Sequence, residues 1–146
     1  MPEAFASAVI PARVTTVWRV VRDFGGLAIW QPAVAGCVLA DPEAPDRVGG
    51  VRTLSMADGE TVVESLLALD DHARSLTYGI VSSPYPVHSY RAVMRVVPLT
   101  ATDETFVDWS VHFDCDRSDT DELTKTFRTG ILTAGLRGLA GHCGTL

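Results

Sequence analysis

Four polar side chains in the middle of the chain are of the types that acid and base chemistry needs. Arg52 and Glu64 lie in neighbouring runs of alternating apolar residues, and His88 and Tyr90 follow two residues apart. A carboxylate or an imidazole can take a proton from a carbon acid, while a phenol or a guanidinium can stabilise the enolate oxygen that forms. We therefore take Glu64, His88 and Tyr90 as candidate catalytic residues.

Motifs of several other enzyme classes are missing from the sequence. It contains no HxH, HExxH or CxxC spacing for a metal ion, and His142 beside Cys143 has no further ligand nearby. It also has no GxSxG, GxGxxG or Walker pattern. We expect any catalysis to need neither a metal ion nor a cofactor.

The arginines of one predicted strand indicate which way Tyr90 points. Arg91 and Arg95 have the same parity within Ser89–Val97, and an exposed arginine is the ordinary case. Tyr90 and Ala92 are then expected on the inner face, where Tyr90 is either a ligand contact or a core aromatic whose hydroxyl has a local partner. Alternation on the preceding strand makes Tyr78 a second inward candidate.

The alternation around Glu64 does not decide its orientation. An inward Glu64 shares its face with Val62 and Leu66, but Val63 and Leu67 serve equally well as the inward set. An inward Glu64 needs a cation, for which Arg52, on one face with Leu54, is the obvious partner. An outward Glu64 would form an exposed pair with Arg52 worth well under about 1 kcal/mol.

Length and composition favour one globular domain over residues 1–146. The chain is 47% hydrophobic, its net charge is −6 and its three cysteines form no obvious pairs. A core of this size needs no disulfide, and the acidic balance argues against nucleic acid as a partner. Neither a signal peptide nor an 18-residue apolar stretch is present, so we expect a cytoplasmic protein, away from membranes, that is a monomer or a homodimer.

The order of predicted elements is that of an α+β domain. Glu3–Ile10 reads as a strand, followed by an amphipathic helix over Arg13–Phe24 and a second short helix over Leu27–Pro32. A run of period-two segments then predicts six strands between Ala33 and Phe113, and a polar break precedes a long helix from about Ser118 to Gly141. We expect a seven-stranded, curved antiparallel sheet wrapped around this C-terminal helix.

The C-terminal helix has small residues where larger ones would favour helix formation. Gly135 costs about 0.8–1.0 kcal/mol relative to alanine inside a helix, so something other than helix propensity keeps it there. Together with Phe127 and Ile131 it could line a cavity rather than fill one. Close packing of the helix against its neighbours is an equally good explanation.

The order of elements, together with the segments at 17–34 and 59–98, resembles the START-related helix-grip superfamily, which includes polyketide cyclase/dehydrase and lipid-transport-like proteins and plant abscisic acid receptors. The resemblance implies a deep cavity between sheet and helix, closed by loops at 57–59 and 82–88. It favours an inward Glu64 and matches Tyr85, on the second loop, with a position where the receptors carry a histidine. It also directs an acidic residue near Asp108 into the cavity, whereas hydrophobicity puts Trp109 inward and Asp108 outward.

These observations predict a protein that binds a small, mostly hydrophobic molecule such as a polyketide, lipid or isoprenoid. The alternatives are a cofactor-free cyclase or dehydratase with Glu64 or His88 as base, and an interaction module with a filled core. The predicted ligand-binding residues are Arg52, Leu54, Glu64, Leu66, Tyr78, Tyr85, Tyr90, Ala92, Asp108, Trp109, Phe127, Ile131 and Gly135.

Overall fold

A computed structural model of the protein describes all residues from Met1 to Leu146. The strands are β1 (Glu3–Ile10), β2 (Val34–Leu39), β3 (Val51–Met56), β4 (Thr61–Asp70), β5 (Ser75–Ser82), β6 (Val87–Leu99) and β7 (Glu104–Cys115). The helices are α1 (Val14–Arg22), α2 (Leu27–Trp30), α3 (Thr120–Lys125) and α4 (Ala134–Cys143), with a π-helical segment (Thr126–Thr133) between the last two. Short 3₁₀ turns cover Phe24–Gly26 and Arg117–Asp119.

All seven strands belong to one antiparallel sheet with the order β1-β7-β6-β5-β4-β3-β2. From β2 to β7, each strand pairs with the strand that follows it in sequence, and β1 pairs with β7. The edge strands are therefore β1 and β2. The C-terminal helix, which comprises α3, the π-helical segment and α4, packs against β1 and β7, and α4 also contacts α1 and α2. The predicted α+β helix-grip fold is confirmed.

The inner face of the sheet follows the apolar alternation of its longest strands. On β6, Ala92, Met94 and Val96 are buried, while Arg91 and Arg95 face outward. β7 presents its alternating apolar residues, including Trp109, to the same interior. The core therefore lies between the inner face of the sheet and the C-terminal helix.

One bulge changes the alternation on β4. Leu66 is opposite Tyr78 and Ala68 is opposite Thr77, so Leu67 is the extra residue on its strand. Leu67 and Ala68 are exposed, and Leu69 packs against the core. A bulge re-aims the side chains beyond it, which is why Ala68 does not share the buried face with Glu64 and Leu66.

Candidate functional site

A small cavity lies between the inner face of the sheet, α2 and the π-helical segment. It encloses about 20 Å³, roughly the room that one water molecule needs. Eleven of its thirteen lining residues are hydrophobic. The lining consists of Leu27, Gln31, Val34, Leu54, Met56, Val62, Glu64, Tyr78, Ile80, Tyr85, Tyr90, Trp109 and Ile131.

A buried ion pair lies at one wall of this cavity, with Glu64 in the lining and Arg52 behind it. Arg52 on β3 and Glu64 on β4 are direct neighbours across the strands, and both side chains are less than a tenth exposed. Arg52 Nε lies 2.9 Å and Nη2 2.7 Å from Glu64 Oε1, and Nη1 donates to the carbonyl oxygen of Phe24 at 2.9 Å. The guanidinium carbon lies 3.9 Å from the centre of the Phe24 ring and 4.8 Å from that of Tyr78. The cation is thus held on its edges and on its faces.

The two carboxylate oxygens of Glu64 differ in their hydrogen bonding. Glu64 lines the cavity, and its Oε2 atom has no hydrogen-bond partner in the protein. Burial raises the pKa of the Glu64 carboxyl, and the charge of Arg52 acts in the opposite direction. The cavity therefore contains an acceptor that is free to bind another group.

Two tyrosines add hydroxyl groups beside this carboxylate. The indole Nε1 of Trp109 donates to the hydroxyl of Tyr78 at 3.1 Å, and the hydroxyls of Tyr78 and Tyr90 also interact with each other. The rings of Tyr78 and Tyr90 lie 6.5 Å apart. Burial raises the pKa of both phenols, so they remain protonated donors at neutral pH.

Tyr85 lies at the rim of the cavity, on the loop between β5 and β6. Its ring packs edge-on against Phe127, with centroids 5.1 Å apart. Burial raises the pKa of Tyr85, as do the charges of Asp58 and Glu60 on the β3–β4 turn. That turn has Gly59 at φ +92, a backbone conformation that glycine adopts readily. The two loops therefore approach each other at the rim.

Gln31 connects α2 to the middle of the C-terminal helix. Its Nε2 donates to the carbonyl oxygen of Ile131 at 3.0 Å, and its Oε1 accepts from the backbone of Ala33 at 3.3 Å. A Cβ atom at Gly135 would lie 2.4 Å from this Nε2 and 2.6 Å from the Trp109 ring. Gly135 thus allows close packing, and the alternative that its missing side chain widens a cavity is not what the structure shows.

Twelve of the thirteen predicted ligand-binding residues fall into two groups. Those that line the cavity are Leu54, Glu64, Tyr78, Tyr85, Tyr90, Trp109 and Ile131. Those that lie directly behind the lining or in the adjoining core are Arg52, Leu66, Ala92, Phe127 and Gly135. Phe127, for example, packs its ring against Tyr85, Tyr90 and Phe113.

Two predicted site residues lie outside the cavity, and their placement corrects the prediction. Asp108 faces the outer side of the sheet, where its two oxygens accept from Arg95 at 3.1 and 2.7 Å. β7 has no bulge at this position, so the hydrophobic alternation decides its orientation. His88 belongs to β6 rather than to a loop, and its exposed imidazole lies 3.0 Å from Asp116, which raises its pKa.

Six lining residues were not among the predicted site residues. Met56, Val62 and Ile80 lie on strand faces that the alternation assigned to the interior, so the signal was present. Leu27, Gln31 and Val34 come from α2 and the start of β2. Gln31 is the lone polar residue of the otherwise apolar stretch at 27–32, so it was detectable from the sequence.

Two structural findings bear on other kinds of site. No three His, Cys, Asp or Glu residues lie close enough together to hold a metal ion. None of the helices combines the length and the apolar character that crossing a bilayer requires.

A curved antiparallel sheet around a C-terminal helix, with an apolar cavity between them, defines the helix-grip class of proteins. Within that class, residues 1–144 match the model of the family described as polyketide cyclase/dehydrase and lipid transport. The chain belongs to this family.

Individual proteins are similar to this chain in sequence or in fold. The chain is 27% identical over 137 residues to the abscisic acid receptor PYL2 of Arabidopsis thaliana, covering 89% of this chain and 71% of the receptor. A protein of Thermobifida fusca solved by NMR is 32% identical, with a TM-score of 0.88, over all of this chain and 95% of that one. Norcoclaurine synthase from Thalictrum flavum, solved with dopamine and hydroxybenzaldehyde, shares the fold with a TM-score of 0.79 at 16% identity, over 98% of this chain and 86% of the synthase.

Proposed function

We propose that this protein binds a small, mostly hydrophobic molecule between the sheet and the C-terminal helix and acts as a carrier or sequestering protein. A polyketide, a lipid or an isoprenoid has the required character. The observation that carries the proposal is the polar centre of Glu64, Tyr78 and Tyr90 in a mostly apolar lining, with Arg52 paired to Glu64 behind it. Such a combination, in which apolar walls supply affinity and a few polar groups fix orientation, is typical of small-molecule sites.

The family supports this proposal in general terms. Its description includes lipid transport, and the PYL2 relative is a receptor for abscisic acid, a small molecule. The cavity of about 20 Å³ is far below the roughly 300 Å³ of a usual ligand pocket. Binding therefore requires side chains at the rim to move, and Tyr85 and Met56 are the bulky lining residues on or beside the two rim loops.

Dye binding tests the proposal. The neutral dye N-phenyl-1-naphthylamine should gain fluorescence with a dissociation constant in about the micromolar range. Ile80→Trp fills the cavity from β5 and should weaken this binding at least about tenfold, or 1.4 kcal/mol. The matched control is Val81→Trp, since Val81 is the next residue and is 60% exposed on the outer side. If both variants bind the dye as the parent does, the dye does not occupy this cavity and the proposal fails.

A cofactor-free cyclase or dehydratase is the second candidate, and the free Oε2 of Glu64 is the observation that favours it. A buried carboxylate with a raised pKa and no partner on one oxygen is placed as a general base would be, and Tyr90 beside it could donate to an enolate oxygen.

Glu64→Gln separates the two candidates. It keeps the size of the side chain but removes its charge and its ability to take a proton. For a carrier we expect dye affinity close to that of the parent. For an enzyme with Glu64 as base, turnover of any substrate recovered from the purified protein by native mass spectrometry should fall about a hundredfold or more. Parent-like turnover in this variant would exclude Glu64 as the base.

A further inference from the structure

We infer that the ligand carries a hydrogen-bond donor, an ammonium or a hydroxyl group, that binds Glu64 Oε2, and that the cavity rejects carboxylates. This inference rests on the proposed function, because it names the chemical class of ligand for the same cavity. It follows from the way in which the protein uses its charged groups around the cavity.

Arg52, the only arginine beside the cavity, already has a protein partner at every guanidinium nitrogen. Each of the three guanidinium nitrogens of Arg52 has a partner at 2.7–2.9 Å, either Glu64 Oε1 or the carbonyl oxygen of Phe24. The rings of Phe24 and Tyr78 cover the guanidinium group. Arg52 itself does not line the cavity. A ligand carboxylate therefore cannot reach this cation without breaking the pair.

No other positively charged side chain lines the cavity. None of the thirteen lining residues is a lysine, an arginine or a histidine. The amide of Gln31 is also used internally, since its nitrogen donates to Ile131 and its oxygen accepts from Ala33. The wall therefore offers a ligand one carboxylate oxygen and the hydroxyls of Tyr78, Tyr85 and Tyr90, but no positively charged group.

The charge of this wall selects the ligand. A carboxylate placed beside Glu64 would bring two like charges together in surroundings of low polarity, where their repulsion is much stronger than in water. An ammonium or a hydroxyl would instead give Oε2 its missing partner, and charge-assisted hydrogen bonds are about twice as strong as neutral ones. The tyrosine hydroxyls can in turn accept or donate to a second polar atom of the ligand.

Four probes of nearly equal size test this selection. Toluene, benzyl alcohol, benzylamine and benzoate share a benzyl or phenyl group and differ in the polar group they carry. Binding is followed by ¹⁵N NMR titration at neutral pH, where the indole Nε1–H signal of Trp109 reports directly on the cavity wall. We expect benzylamine to bind at least about tenfold more tightly than benzoate, with benzyl alcohol above toluene.

The outcomes distinguish this inference from the proposed function. If toluene shifts the Trp109 signal and benzoate binds as tightly as benzylamine, the cavity binds hydrophobic molecules but the inference is overturned. If none of the four probes shifts signals of the cavity residues, the proposed function fails and the inference with it. Tight benzylamine binding with weak or absent benzoate binding supports both.

Variants without the Glu64 charge test whether this residue causes the preference for benzylamine over benzoate. In Glu64→Gln, the preference for benzylamine over benzoate should fall about tenfold or more, while toluene binds as before. Should that variant fold poorly, the double variant Arg52→Met/Glu64→Leu removes the whole pair and replaces it with apolar side chains. It should keep toluene binding and lose the preference. An undiminished preference in whichever variant folds would overturn the inference.

Discussion

Glu64→Ala is expected to lower the free energy of unfolding by about 3–5 kcal/mol, the usual cost of removing one partner from a buried ion pair. The substitution leaves Arg52, which is 3% exposed, without a counter-charge. Its remaining partners are the Phe24 carbonyl oxygen and two aromatic faces, and these do not neutralise it. Urea denaturation of the variant and the parent under identical conditions measures the difference.

The double variant Arg52→Met/Glu64→Leu is the matched control for this prediction. Replacing a buried pair by apolar side chains of similar volume is often neutral or stabilising, so the double variant should be as stable as the parent or more stable. A Glu64→Ala variant as stable as the parent would show that Arg52 reaches water in solution, which contradicts the buried pair. Equal destabilisation of the two variants would show that packing rather than charge is responsible.

Gly138→Ala is expected to destabilise the protein by about 3 kcal/mol, at the upper end of the usual cost of overpacking. A Cβ atom at this position on α4 would lie 2.0 Å from the carbonyl oxygen of Trp30 and 2.8 Å from Cδ of Pro32. The nearest atom belongs to the backbone, so α2 and α4 would have to move apart. Thermal or urea denaturation detects a loss of this size.

Gly141→Ala, three residues further along α4, is the control. Nothing lies within 4 Å of a Cβ atom at Gly141, and alanine favours a helix by up to about 1 kcal/mol over glycine. The two variants make the same chemical change in the same helix and should change stability in opposite directions. Equal stability of both would mean that α2 does not pack closely at Gly138.

Much of the fold could be predicted because apolar alternation records which strand face is buried. The predicted bounds of β1, Glu3–Ile10, agree with those of the structure. β6 is longer than the predicted Ser89–Val97, because pairing with β7 continues beyond the apolar alternation, as far as the Val87–Cys115 and Leu99–Glu104 pairs. The apolar pattern of the C-terminal helix predicts the α-helical period throughout, so it does not reveal the π-helical segment, where the hydrogen-bond spacing differs.

The site was less predictable for reasons that individual residues show. The side on which Glu64 lies could not be decided, because apolar residues occupy both faces of β4 and a bulge at Leu67 changes the alternation partway along. Gln31 stands out in the sequence as a lone polar residue, but its contact with Ile131, one hundred residues away in the chain, cannot be predicted from local pattern. For Asp108 the hydrophobic alternation indicated the observed outward side, and similarity to the receptors pointed the other way.

The pairing of β1 with β7 has a consequence for the synthesis of the chain on the ribosome. β1 is synthesised before the other six strands, yet its only neighbour in the sheet is β7. Glu3 therefore cannot pair until its partner His112 has been synthesised. The intervening strands can form their hairpins as they emerge, because each pairs with a neighbour in sequence. The first strand and the inner face of the sheet stay uncovered until the last quarter of the chain has left the exit tunnel. Long-range closure of this kind is slow compared with local pairing, and the unpaired segment exposes hydrophobic surface to other chains in the meantime.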